Sequence, residues 1–215
     1  MNLTQTARLA GVFYLLLIPL GILGIIYVPT TLIVAENSRQ TIENIIQHET
    51  LFRWSIVSAL VVQLINVALV FLLFKLFKNI NKTLAYLMVT FSFLGVFIAF
   101  FNEINNLTVL HLLPQGNENQ ELISLFLNIH QQGIILAQVF WGLWLFPLGL
   151  LIYKSNFFPK LLGILLMLGC IGYVMDSFLF IIVPNIGITV SEFTFIGEVL
   201  SPLWLVIRGV KAKNI

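Results

Sequence analysis

Hydrophobic positions along this chain come in long runs rather than in amphipathic stripes, and polar residues gather in the short stretches between them. A helix needs about 20 apolar residues to cross a hydrocarbon core roughly 30 Å thick. Six runs qualify, at about 9–28, 54–74, 83–101, 133–153, 161–183 and 191–210. The second and third are joined by KNIN and the fifth and sixth by PNIGITV, turns short enough to force antiparallel pairs. The pattern predicts an all-α, polytopic membrane helix bundle of six transmembrane helices, with residues 1–215 forming a single transmembrane domain. The first run is longer than a signal-peptide core and lacks a small-x-small cleavage site, so it is expected to remain as the first membrane helix.

Two connecting stretches carry structure of their own. In VAENSRQTIENIIQHETLFRW, Asn37 and Gln40 have capping-box spacing and Ile42, Ile45 and Ile46 share one face, which predicts a short amphipathic helix at the outer interface. In LPQGNENQELISLFLNIH, a Pro/Gly/Asn turn leads into a helix expected to run on into the fourth span.

Charge orients the bundle. With the N-terminus inside, Arg8, Lys75, Lys78, Lys82, Lys154, Lys160, Arg208, Lys211 and Lys213 face the cytoplasm and only Arg39 and Arg53 face out, an N-in/C-in topology that obeys the positive-inside rule. Tyr86, Tyr153 and Trp204 fall near the inner boundary, Tyr27 and Trp54 near the outer one. Composition agrees: 59% of residues are hydrophobic and 9% charged, against about 25% charged in soluble domains. The lipid bilayer is therefore the predicted partner. A net charge of +2 gives no footing for nucleic acid, and a lone cysteine, Cys170, excludes an intramolecular disulfide, a Cys-x-x-Cys redox pair and a thiolate cluster.

Helical spacing collects the polar residues inside the runs into faces. Ser55, Ser58, Ala59, Gln63 and Asn66 share one face of the second span; Ser92, Gly95, Ala99, Asn102, Glu103 and Asn106 share one of the third. His130, Gln138, Gly142 and Gly149 do so in the fourth, Gly169, Gly172 and Asp176 in the fifth, Ser191, Thr194, Glu198 and Ser201 in the sixth. At 1.5 Å per residue, Asp176, Glu198 and Gln63 lie about 12, 10 and 15 Å below the outer boundary, and Gln138 about 24 Å above the inner one. Arg53, Asn102, Glu103, Asn106 and His130 come nearer the outer interface. The expectation is a polar pocket biased to the outer face and closed toward the cytoplasm by Leu, Phe and Trp.

The blocks RLAGVFYL at 8–15, LFR at 51–53 and above all FWGLWLFPLGLLIYKSNFFPKLLGILLMLGCIGYVMDSF at 140–178 resemble the bacterial domain of unknown function 4386 family. That resemblance implies a multi-pass protein of the bacterial cytoplasmic (inner) membrane and supplies no catalytic residues.

Three chemistries fit the predicted pocket. In ion-coupled binding or transport, Asp176 and Glu198 are the charge-changing acids, Gln63, Asn66 and Gln138 contact the small-molecule or ion ligand, and Glu103 and His130 line the approach. Six helices make a small body for alternating access, so this reading calls for a homo-oligomer. An intramembrane metal-dependent hydrolase would draw its ligands from His130, Asp176 and Glu198, with no His-Glu-x-x-His pair to support it. In a structural or regulatory protein the polar layer only fixes helix packing, which is what small and polar faces ordinarily do in lipid. No cofactor is predicted, and no Gly-x-Ser-x-Gly elbow marks an enzyme.

Overall fold

The structure, a computed structural model, describes residues 2–34, 37–115, 119–183, 187 and 189–210. Among these residues every regular element is helical. Helix α1 (Leu3–Gly21) continues through a π-helical segment, Ile22–Tyr27, into α2 (Val28–Leu32). Then come α3 (Ser38–Gln47), α4 (Glu49–Phe77), α5 (Lys82–Leu112), α6 (Gln120–Leu143), α7 (Leu145–Lys154), α8 (Lys160–Ile182), α9 (Ser191–Thr194) and α10 (Ile196–Ile207).

Prolines account for two of the irregularities, because each lacks an N–H and its ring collides with the carbonyl four residues back. Pro147 stands four residues after Leu143, and the long helix breaks there into α6 and α7. Pro29 follows the π-helical segment, in which the Val28 N–H reaches five residues back to Leu23 O. Caps mark other boundaries. Asn2 and Gln5 form a reciprocal capping box at the start of α1, six residues before the predicted start of the first span. Asn81 caps α5 through the Leu84 N–H.

Among the described residues five helices are long and apolar enough to cross a membrane: Leu3–Leu32, Glu49–Phe77, Lys82–Leu112, Gln120–Lys154 and Lys160–Ile182. The expected sixth run is divided instead. Glu198 N–H bonds the Phe195 carbonyl only three residues back, a tightened turn that separates α9 from α10. The 12 residues of α10 reach about 18 Å, short of a hydrocarbon core. Lys211, Lys213 and part of the PNIGITV turn lie outside the described residues.

Helix α3 corrects the amphipathic prediction in part. Ile42 and Ile45 are buried, but Ile46 is exposed. Asn37 accepts the Gln40 N–H at 3.0 Å, while the Gln40 side chain turns to Asn44 rather than completing the box. Ile42 and Ile45 join a cluster with Val28, Leu32, Phe52, Val109 and Ile123, so α3 caps the helix ends.

The long helices pack in chain order, α1 on α4, α4 on α5, α5 on α6 and α7, α6 and α7 on α8, α8 on α10, and α10 returns to α1. The bundle thus closes on itself, sealed at one end by Thr4 Oγ1 donating to Val210 O at 2.5 Å. Two apolar clusters form within it. One holds Ala7, Leu69, Met88, Leu145, Leu166 and Leu205; the other is the cluster under α3. Between them, along α4 and α5, lie the buried Gln63, Asn66, Ser92, Asn102, Glu103 and Asn106. The outer surface is apolar, with Leu64, Phe71, Phe97 and Phe178 more than half exposed, the inverse of a soluble bundle.

Small residues allow the closest helix approaches. A Cβ on Gly149 would stand 2.6 Å from Gly163 O, and one on Gly163 would stand 2.5 Å from Gly149 O, so α7 and α8 touch backbone to backbone. Gly163→Val is expected to cost about 1 to 3 kcal/mol and lower the midpoint of thermal unfolding in detergent. Gly21→Ala, where nothing lies within 4 Å of the added carbon, should leave the midpoint unchanged or higher.

Candidate functional site: a polar belt across the bundle

Helices α5 and α6 meet through a saturated network. Glu103, 3% exposed, places Oε1 3.0 Å from His130 Nε2, and its Oε2 accepts from Asn106 Nδ2 at 3.0 Å. Asn102 Nδ2 donates to His130 O at 2.8 Å, and Asn105 Nδ2 donates to Asn102 Oδ1 at 3.0 Å. Both carboxylate oxygens and the facing imidazole nitrogen are engaged, as buried polar groups require. Arg53 stands apart, exposed and paired with Glu49 at 2.6 Å.

Helix α4 contributes the next layer. Ser92 Oγ donates to Asn66 Oδ1 at 2.8 Å, joining α5 to α4, and Ser58 Oγ donates to Leu20 O at 2.8 Å, joining α4 to α1. Gln63 is 2% exposed, and its Oε1 has no partner among the described residues. Gln138 is half-buried on α6.

Asp176 has a local task. Its Oδ1 accepts the Val190 N–H at 2.6 Å and its Oδ2 the Ser191 N–H at 2.8 Å, at the start of α9. The carboxylate on α8 thus caps the helix that follows the turn, satisfying donors that hydrocarbon would leave bare. Spacing alone could not find this, because the capped amides come 14 and 15 residues later.

Glu198 is placed differently. It is half-buried as a residue, yet Oε1 is enclosed, and the carboxylate faces the phenols of Tyr14 on α1 and Tyr173 on α8. Asp176 also acts on the Tyr173 phenol, less than Glu198 does. Tyr14 Oη, Glu198 Oε1 and, one turn along α10, Ser201 Oγ have no hydrogen bond among the described residues. The phenols of Tyr14 and Tyr173 are nonetheless the polar groups that act on the Glu198 carboxylate. Tyr14 and Tyr173 read as hydrophobic in the sequence; the available signal was that Tyr14 continues the small face Ala7, Ala10, Gly11. Gly11 lets α10 approach: a Cβ there would meet Leu205 Cβ at 2.8 Å and Pro202 O at 2.9 Å.

The expected constellation therefore divides. Glu103, His130 and Asn106 form one group, Asn66 bonds Ser92, and Asp176 and Glu198 share Tyr173. His130, Asp176 and Glu198 do not converge; among the described residues no three His, Cys, Asp or Glu side chains form a metal-ligand set. A cavity of about 380 Å³ lies at the opposite end of the bundle from the expected pocket, lined by Asn156, Phe157, Phe158, Trp204 and Arg208.

The division predicts different costs for the acids. Asp176→Asn should keep most of the cap, whereas Asp176→Ala should lose about 1 to 2 kcal/mol, read as a lower unfolding midpoint. Equal midpoints for the two variants would contradict the capping role.

An uncharacterised protein of Archaeoglobus fulgidus is 28% identical over 164 residues, covering 75% of this chain and 88% of its own. No solved structure matches the chain. The sequence matches the family described as Domain of unknown function (DUF4386) over residues 9–209, from within α1 to the turn after α10. That match includes every helix that builds the polar belt, and the chain belongs to this family.

Proposed function

We propose that this chain is a six-span, N-in/C-in protein of the cytoplasmic membrane that binds and moves a small cation, or a proton with a small solute, at Glu198. In this reading α9 and α10 form a short, interrupted sixth crossing, as substrate-binding helices of transporters often do. One observation carries the site: the Glu198 carboxylate is buried against the phenols of Tyr14 and Tyr173, and Tyr14 Oη, Glu198 Oε1 and Ser201 Oγ lie buried without a well-formed hydrogen bond among the described residues. Buried polar atoms ordinarily find hydrogen bonds, and each exception calls for an occupant or a role. A proton or cation held between carboxylate and phenols supplies one.

Pro202 adds to the case. Lacking an N–H, it leaves the Glu198 carbonyl without its helical donor, a further acceptor beside the carboxylate. Gln63, with its own unpartnered oxygen, and Gln138 are the neutral contacts of this reading. A structural reading has its own support in Asp176 and in the Glu103 to His130 network, whose polar groups are consumed in joining helices. The belt accordingly has a fixed part and an open part.

Flux measurements test the reading. Protein reconstituted into vesicles carrying an internal pH dye is expected to speed the response to an imposed pH gradient or cation gradient over protein-free vesicles. Glu198→Gln should abolish that gain without lowering the unfolding midpoint, and Tyr14→Phe should reduce it. Wild-type flux retained in Glu198→Gln would overturn the assignment. Topology has a separate check: cysteines placed at Asn79 and Asn156 should react from the cytoplasmic side only, and one at Arg39 from outside only.

A further inference from the structure

The charges of this chain are segregated by end. Glu43, Glu49, Glu103, Glu121, Asp176, Glu192 and Glu198 all lie in the half of the bundle that holds α3 and α9. The ion pairs formed by arginine among the described residues, Arg39 with Glu43 and Arg53 with Glu49, are there too. At the other end, Arg8, Lys75, Lys78, Lys82, Lys154, Lys160 and Arg208 have no carboxylate among the described residues to pair with. Three of these cations stack on interfacial aromatics: Lys82 on Tyr86 at 5.8 Å, Lys160 on Tyr153 at 5.3 Å and Arg208 on Trp204 at 5.7 Å.

The 380 Å³ cavity opens at this end, between the turn joining α7 to α8 and the end of α10. Its walls are fixed. Trp204 Nε1 donates to Phe157 O at 3.3 Å, and Phe77 packs on Phe157 and Phe158 at 5.7 and 6.0 Å between ring centroids. Arg208 lines the cavity, and its exposed guanidinium makes no hydrogen bond or ion pair among the described residues. Gly209, with φ 59°, turns the chain at the rim beside Thr4 and Arg8.

We propose that this cavity binds the headgroup of an anionic phospholipid, its phosphodiester held by Arg208 with Arg8 at the rim and its glycerol backbone against Phe157, Phe158 and Trp204. The chemistry is complementary in both parts. A guanidinium presents a planar fork of donors that matches phosphate oxygens. The aromatic walls accept the apolar portion, and the volume falls within the range of ordinary small-ligand sites, about 300 to 1,000 Å³. The position, among cations and aromatics at the ends of the spans, is where headgroups lie. This site is independent of Glu198, and the experiment below does not depend on transport.

Purified protein in detergent is titrated with phosphatidylglycerol, phosphatidylcholine or inorganic phosphate while unfolding is followed, and retained lipid is counted by native mass spectrometry. Phosphatidylglycerol should raise the midpoint and remain bound, and the other two should not. One basic contact at a lipid surface is worth about 1 kcal/mol, so Arg208→Gln should weaken phosphatidylglycerol binding about fivefold. Arg208→Lys should lose less, and Lys82→Gln, which does not line the cavity, nothing. Equal binding of phosphatidylcholine, or equal losses in the Arg208 and Lys82 variants, would overturn the proposal. So would an equal response to inorganic phosphate, which would mark a free-anion site. Should Arg208→Gln fail to fold, the choice between the two lipids by wild-type protein still decides.

Discussion

Hydrocarbon offers no hydrogen bonds, so the polar groups inside this bundle turn to the protein itself for partners. A layer of buried polar side chains lies between the two apolar clusters, where Gln63, Asn66, Ser92, Asn102, Glu103 and Asn106 meet. Helix positions then follow from the pairs available. The Glu103 and Asn102 contacts to His130 set α5 against α6, Ser92 and Asn66 set α5 against α4, and Ser58 sets α4 against α1. Glycine permits the spacing; the polar contacts select the register.

The same rule separates the acids by what they do. Asp176 and Glu103 each have both oxygens engaged, so their charge is spent on architecture. Glu198 has an enclosed oxygen and faces two phenols instead of backbone amides or an imidazole. A carboxylate that caps a helix and one buried against phenols look alike in composition. They differ only in geometry.

Most of the architecture was legible because period and length carry it. The five long helices, the antiparallel turns and the buried faces at Ser55 to Asn66 and Ser92 to Asn106 follow from apolar runs and 3.6-residue spacing. The sixth run reads as a full crossing because its residues are apolar, while the turn at Phe195 that divides it is a backbone event without a compositional mark. The site was legible only as a set of polar residues at similar depth. Depth cannot say which oxygen bonds which amide, so Asp176 read as a site acid rather than a cap. Tyr14 and Tyr173 were invisible, since a tyrosine in an apolar run resembles phenylalanine until the element opposite its hydroxyl is known.

The bond from Thr4 to Val210 spans 206 residues. During synthesis α1 enters the membrane long before α10 exists, so the face carrying Ala7, Gly11 and Tyr14 stays open to lipid or to an insertion factor until α10 has been made. Ring closure therefore waits for α10, which brings Glu198 to the Tyr14 face of α1.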